Sequence, residues 1–465
     1  MTPEPRPLST GLSVPAGAGP AAGLRSPSDP SSKSSSDRSA RLTAALRAEI
    51  DSAPERRITF ARFMERALYE PMLGYYMQPA DRPSDAGDFL TAPETHAIFG
   101  WTIARRVEQM WAELGRPRPF DLIEYGAGSG TLALSIIEGF RRHDSTDSID
   151  LLEAVRYTSV ESSGYRQADL HQGFEKAGVA ELLTVTGSPS NKTVPVTGVI
   201  LANEFLDALP VHRVVVRGGQ MLELFVTWRD GFVEVAAEPS TPDLARRLAD
   251  DGFATHDFGR EHLVEGQVGE VCLGVAPWLD DVSRRLARGY LMVIDYGYEA
   301  SELYGPRHLA GTLLGYRGHH VVKNPFADVG LTDLTAHVDF TAIQVLGERR
   351  GLRSVALTTQ SEFLVASGLE SELQALQAAP ETAAADYLRA RSGVVRMLDP
   401  RHMGRFRVLT MERQVSDGPL PRQPAAPEDV ASSEPRNAAA SEPGNLTSSQ
   451  PGNGVASEPD PRTNR

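Results

Sequence analysis

Cysteine is almost missing from this chain. Its 465 residues include one, Cys272, too few for an internal disulfide framework or a multi-cysteine zinc or iron–sulfur site. A reducing compartment suits that composition. Long apolar runs are missing as well: no stretch approaches the roughly 18 apolar residues of a membrane-spanning helix. Basic residues are outnumbered, 47 Lys and Arg against 61 Asp and Glu for a formal net charge of −14. That balance argues against nonspecific binding to nucleic acid or insertion at an anionic membrane. His319, His320 and His337 lack partners at metal-ligand spacing, so no metal site is expected. No Gly-x-Ser-x-Gly nucleophile elbow is present either. The small-apolar stretch at 11–24 is broken by Pro15 and Pro20 and has no Arg-rich amphipathic face. It reads poorly as a secretory or mitochondrial leader, and cytoplasm is the expected location.

What is present is enough for a large core, at 41% hydrophobic and 23% charged residues. Residues 1–40 and 415–465 are poor in bulky apolar side chains and are expected to be disordered tails. Between them, Thr59 precedes Phe60, Phe63, Met64, Ala67 and Leu68, the spacing of an amphipathic helix with an N-cap. A further helix is expected over 94–114. The aromatics of Gly74-Tyr75-Tyr76 read as core. The Gly87-Asp88-Phe89 turn supplies a loop-borne acid that can fold over a ligand. Residues 41–120 are taken together as an N-terminal helical extension.

The stretch from Asp121 to Leu134 organises the rest. A short apolar run ends in Glu124, turns through Gly126, Gly128 and Gly130, and reopens with helical periodicity. That is the strand, tight loop and helix of a nucleotide-binding corner in a doubly wound α/β sheet. A dinucleotide fingerprint needs its third glycine one residue later, where this chain has Thr131. An acid followed by Gly-x-Gly-x-Gly is instead the pattern of S-adenosylmethionine (SAM) sites. A tight structural turn and a dinucleotide oxidoreductase remain the alternatives. After this corner, strands at 154–161, 182–185, 196–201 and 291–297 alternate with helices, which predicts a parallel sheet. The first half of that core is 121–210 and the second 289–414. The rhythm breaks over 211–288, read as an insertion of mainly antiparallel strands that shapes the acceptor side. Residues 298–340 read as loop-rich.

Ligands of open α/β sheets bind at the carboxyl ends of the strands. Four predicted strands end there in polar residues: Glu124, Glu161, Asn203 with Glu204, and Asp295. Glu161 closes the second strand, where a carboxylate can accept both ribose hydroxyls; helix capping is its plainer role.

Together these strings resemble the MidA family. The match runs through Tyr69 to Tyr76, Gly87 to Glu94, Glu124 to Leu132, Val160 to Ser163, Ala202 to Val211 and Asp333 to Phe340. Two positions depart from that family's pattern, Ala127 in place of a proline and Thr95-His96 after Glu94. The resemblance implies a class I (Rossmann-like) methyltransferase with an insertion between strands four and five and an N-terminal helical extension. It implies SAM as donor and, as in some relatives, protein arginine as acceptor. The expected cofactor-binding residues are Gly87, Asp88, Glu124, Gly126, Ala127, Gly128, Gly130, Glu161 and Asn203. Glu204 and Asp207 are the expected pair that binds and aims a guanidinium. A noncatalytic assembly or scaffolding factor that keeps the SAM fold is the competing reading.

Overall fold

Six consecutive buried residues, Phe120–Tyr125, form the strand β1. Burial on both faces is the signature of a central strand in a parallel sheet with helices on either side. The computed structural model describes residues 30–78, 91–143, 146–187, 194–252, 263–318, 320–380 and 382–414. Within them β1 is joined by β2 (Val155–Val160), β3 (Leu183–Thr186), β4 (Val196–Asn203), β5 (Leu286–Asp295), β6 (Arg353–Thr359) and β7 (Arg407–Arg413). The order across this seven-stranded sheet is β6-β7-β5-β4-β1-β2-β3. β1 pairs in parallel with both β2 and β4, and β4 in parallel with β5. β7 runs antiparallel to its neighbours β5 and β6. The order therefore reverses at β1 and β4, which opens a crevice beyond their carboxyl ends.

Alternate residues of each strand feed two cores. Leu122, Leu201 and Ile294 join the cluster that includes Phe99, Trp101 and Phe140. Ile123, Ile200 and Val293 point the other way, to Leu279, Val282, Phe340 and Ile343. On the first face, helices Ile98–Glu113 and Thr131–Arg142 meet at Gly139. A Cβ there would lie 2.7 Å from Ala104 Cβ and 2.9 Å from Trp101 Cα. The stretch 41–120 thus divides. Helix Ile98–Glu113 belongs to the layer on the main sheet, and Phe60–Tyr69 does not.

Helix Phe60–Tyr69 has the expected cap, with Thr59 Oγ1 accepting the Arg62 N–H at 3.1 Å. Its apolar stripe packs with Val211, Val226 and Leu334. Val226 lies in a second, antiparallel sheet made of Ile58–Thr59, His212–Arg217, Gln220–Trp228, Phe232–Ala237 and Val268–Val271. Helix Pro30–Ser52 packs on the same cluster through Leu42, Leu46 and Ile50. The helix begins at Pro30, inside the stretch expected to be a disordered tail, and its apolar stripe at i, i+4 and i+8 lies beyond residue 40. Residues 1–29 and 415–465 lie outside the described residues. The loop-rich stretch 298–340 contains a small antiparallel sheet of Leu314–Arg317, His320–Val322 and Asp333–Thr335.

One ionic junction pins the C-terminal helices to the first layer. His143 Nδ1 lies 2.7 Å from Glu108 Oε1 and its Nε2 2.9 Å from Glu372 Oε1. Arg105 also bonds Glu372. Burial opposes the imidazolium, but its hydrogen bonds to the two carboxylates outweigh that and lift His143 from 6.5 to about 9. A raised histidine stabilises the fold fully below its ordinary value and loses that contribution as pH rises through about 9. His143→Gln should therefore lower the urea midpoint at pH 6, and the gap from the parent should close by pH 10. A gap independent of pH would show that packing alone accounts for the residue.

Candidate functional site

The turn after β1 is built from left-handed backbone. Gly126, Gly128 and Gly130 have φ of 69°, 55° and 85°, a region that L side chains enter at a cost. Two of the three do more than turn. A Cβ on Gly126 would stand 2.8 Å from the Phe205 ring, whereas one on Gly128 would meet nothing within 4 Å. The backbone at Gly128 is therefore open to close approach by a ligand. Gly130 caps helix Thr131–Arg142 and does not border the cavity.

That cavity has a volume of about 500 Å³, within the range of small-molecule sites. Of the residues expected from sequence, Glu124, Gly126, Ala127, Gly128, Glu161, Asn203 and Glu204 line it. Gly87 and Asp88 lie outside the described residues. Glu161 is fixed at both oxygens, by Gly128 N–H at 3.1 Å and Ser163 N–H at 2.8 Å. Burial raises its pKa, and these backbone donors pull it partly back. Glu124 accepts the Tyr157 hydroxyl; burial pushes its carboxyl up to about 7.

Asn203 and Glu204 leave the end of β4. Glu204 adopts a left-handed φ of 47° while its N–H still bonds Ile294 C=O at 2.8 Å. Its Oε1 receives the Ala92 N–H at 3.4 Å. Burial, then the negative charge of Asp207, push Glu204 up to about 8. Asp207 itself does not line the cavity. It is buried behind the turn, where its carboxylate accepts the Tyr296 hydroxyl and burial raises it to about 6. The expected pair is therefore split: Glu204 faces the cavity and Asp207 does not.

Asp295, the fourth strand-end acid, is also turned to structural work. Its Oδ2 accepts Leu206 N–H at 3.0 Å and Asp207 N–H at 3.3 Å, and its Oδ1 accepts Tyr296 N–H at 2.9 Å. One fully buried carboxylate thus holds the turn that carries Glu204.

Sequence reasoning did not assign Tyr69, Tyr76, Glu94, Arg166 or Trp278, all of which line the cavity. The strings around Tyr76 and Glu94 were visible, but nothing in them separates a cavity wall from a core. Trp278 reaches the site from helix Val275–Arg285, inside the stretch 211–288, and that helix packs on the main sheet. Among the described residues, Asn203 Oδ1 and Trp278 Nε1 are buried without a hydrogen-bond partner. Each is a polar atom that a ligand in this cavity can satisfy. With the bare Gly128 backbone and the Glu161 carboxylate, they fit a ligand carrying hydroxyls and amine donors.

A doubly wound sheet with an antiparallel seventh strand, and a glycine turn facing strand-end acids, defines a SAM-dependent methyltransferase of class I. Residues 102–358 match the family described as "Putative S-adenosyl-L-methionine-dependent methyltransferase", and the chain belongs to that family. SAM is accordingly its methyl donor. A crystal structure of a relative from Burkholderia thailandensis, bound to S-adenosyl-homocysteine, superposes with a TM-score of 0.71. It shares 31% identity over 82% of this chain and 94% of that one. The chain is 28% identical to a Drosophila melanogaster protein named protein arginine methyltransferase NDUFAF7 homolog, mitochondrial, over 80% of this chain and 84% of that protein. It is 29% identical to the Mus musculus protein named protein arginine methyltransferase NDUFAF7, mitochondrial, over 75% and 79%. These relatives, and the human one, are named as mitochondrial, which overturns the cytoplasmic location expected from composition.

Removing the Asp295 carboxylate leaves three buried N–H groups unpaired, each costing about 1–3 kcal/mol. Asp295→Ala should lower stability in urea denaturation by about 3 kcal/mol or more, and Asp295→Asn, which keeps an acceptor, by less. Equal losses in the two variants would remove the hydrogen bonds as the cause.

Proposed function

We propose that this methyltransferase acts on a nitrogen of a protein side chain, an arginine guanidinium. The observation that carries the reading is the charge of the cavity. Glu94, Glu124, Glu161 and Glu204 line it, and Arg166 is the one Lys or Arg among its described lining residues. Carboxylates in a low-dielectric cavity favour a cationic guest. The names of the fly and mouse relatives support arginine as the acceptor.

SAM when bound would supply an electrophilic methyl: a nitrogen–carbon bond would form as the sulfur–carbon bond broke, the sulfur leaving as a neutral thioether and the nitrogen passing its proton to the ionised Glu204 carboxylate. The protein binds, orients and holds charge. Glu161 and the Gly126–Gly128 backbone would hold the donor through its hydroxyls, with the Asn203 amide oxygen as a further acceptor. Glu204 bonds the guanidinium and concentrates its charge away from the attacking nitrogen. Asp207 acts from behind by adding negative potential at Glu204. A guanidinium is a poor nucleophile, so orientation is the main contribution, and it can be worth about 7–11 kcal/mol of barrier.

The finer architecture belongs to the same proposal. We read Ile58–Thr59, helix Phe60–Tyr69 and the strands between His212 and Val271 as one cap. It combines the N-terminal extension with the insertion and shapes the acceptor side.

Glu161→Ala should abolish calorimetric binding of S-adenosylhomocysteine. Glu204→Gln should keep that binding and lower methyl incorporation into protein about 100-fold. Because Glu204 is raised to about 8, its carboxylate form gains with rising pH. The kcat/KM of the parent should climb through that range, and the limb should vanish in Glu204→Gln. Methyl label recovered on lysine, with no methylarginine, would overturn the acceptor.

A further inference from the structure

Part of the cavity wall comes from outside the seven-stranded sheet. Tyr69 ends helix Phe60–Tyr69, and Tyr76 lies in the turn Tyr75–Met77. Their rings stack with centroids 5.6 Å apart and planes 26° from parallel. Both hydroxyls are tied down. Tyr69 donates to Ala208 C=O at 3.0 Å and Tyr76 to Asp333 Oδ1 at 2.7 Å. With their polar ends committed, the two side chains offer the cavity chiefly ring surface. Of the four glutamates that line the cavity, Glu204 sits four residues before Ala208, and Glu94 is locked in a capping box with Thr91.

We propose that Tyr69 and Tyr76, with Glu94 and Glu204, form the acceptor subsite, and that it selects a planar side-chain cation, a guanidinium, over an ammonium. The inference rests on the preceding reading that a side-chain nitrogen is methylated. Its physical basis is the match between a ring wall and a flat, weakly hydrated cation. A guanidinium stacks on an aromatic face while its edge donates to a carboxylate. An ammonium is a compact, strongly hydrated charge and gains less from the rings. A neutral planar group gains little from the carboxylates. The hydrogen bond to Ala208 joins Tyr69 to the turn that carries Glu204, and Tyr76, stacked on Tyr69, is anchored separately to Asp333 in the strand Asp333–Thr335.

The test uses the full chain saturated with S-adenosylhomocysteine and three blocked amino acids: the N-acetyl, N-methylamide forms of arginine, lysine and citrulline. Titration followed by calorimetry or ligand-observed NMR should show arginine binding, with lysine about tenfold weaker and citrulline weaker still. Tyr76→Leu should weaken the arginine probe about tenfold, while Tyr76→Phe, which keeps the ring, stays within about threefold. Affinity for S-adenosylhomocysteine should be unchanged in both. Should Tyr76→Leu fail to fold, Glu94→Gln must weaken the arginine probe in its place. Citrulline binding as well as arginine, unchanged arginine binding in Tyr76→Leu, or no arginine binding to the saturated parent would overturn the subsite. Loss of S-adenosylhomocysteine affinity in Tyr76→Leu would move Tyr76 to the donor side and overturn it too. Failure of the parent to bind S-adenosylhomocysteine would instead strike the donor reading.

Discussion

The Asp295 carboxylate is the interaction on which the site depends. It is fully buried, and it accepts the N–H groups of Leu206, Asp207 and Tyr296. A turn that leaves a parallel strand has unpaired donors, and few geometries satisfy them inside a protein. Here the acid at the end of β5 supplies the acceptors to the turn after its neighbour β4. The chain can then place Glu204 in left-handed backbone, a conformation that persists only where the surroundings fix it. The residue that follows the same strand closes the arrangement, because the Tyr296 hydroxyl bonds Asp207.

Much of this was legible in the sequence, for identifiable reasons. Alternation of apolar strands with helices and the spacing of Gly126, Gly128 and Gly130 are local patterns, and they mark a doubly wound sheet and its ligand corner. The strand-end acids were legible as a group, but not their separate duties. Glu161 and Glu204 face the cavity, while Asp295 faces backbone donors and Asp207 faces Tyr296. Each is an acid after a β-rich run, and only tertiary pairing decides which carboxylate meets a ligand. Tyr69 and Tyr76 were hidden for a related reason. Tyr69 ends an amphipathic helix whose stripe is core and Tyr76 lies in the turn after it, and both are held by partners more than 100 residues away, Ala208 and Asp333.

The second sheet shows why the boundary between extension and insertion could not be read from the chain. Two residues, Ile58 and Thr59, pair with Phe225 and Val226, and the helix that follows packs on the same cluster. A two-residue strand leaves no periodic signal. Its partner is far along the chain, so contact alone reveals that 58–69 and 212–228 share one core. Helix Val275–Arg285 falls inside the stretch 211–288 yet packs on the main sheet. Its apolar face is clear, but a helix stripe does not say which sheet it will cover.

The raised carboxyls explain how such a cavity can serve a cation without holding bare charge beforehand. Burial lifts Glu124 to about 7 and Glu204 to about 8, so both are substantially protonated near neutral pH. An isolated buried carboxylate is costly, and protonation relieves that cost. A cation entering the cavity reverses the balance, since opposite charge at close range favours the ionised form. On the proposed reading, Glu124 and Glu204 can be buried as neutral acids and ionise when a cationic guest enters. Asp207 strengthens this coupling from behind, because its charge is among the forces that raise Glu204. On the proposed reading, recognition of the cation is coupled to release of a proton at Glu204.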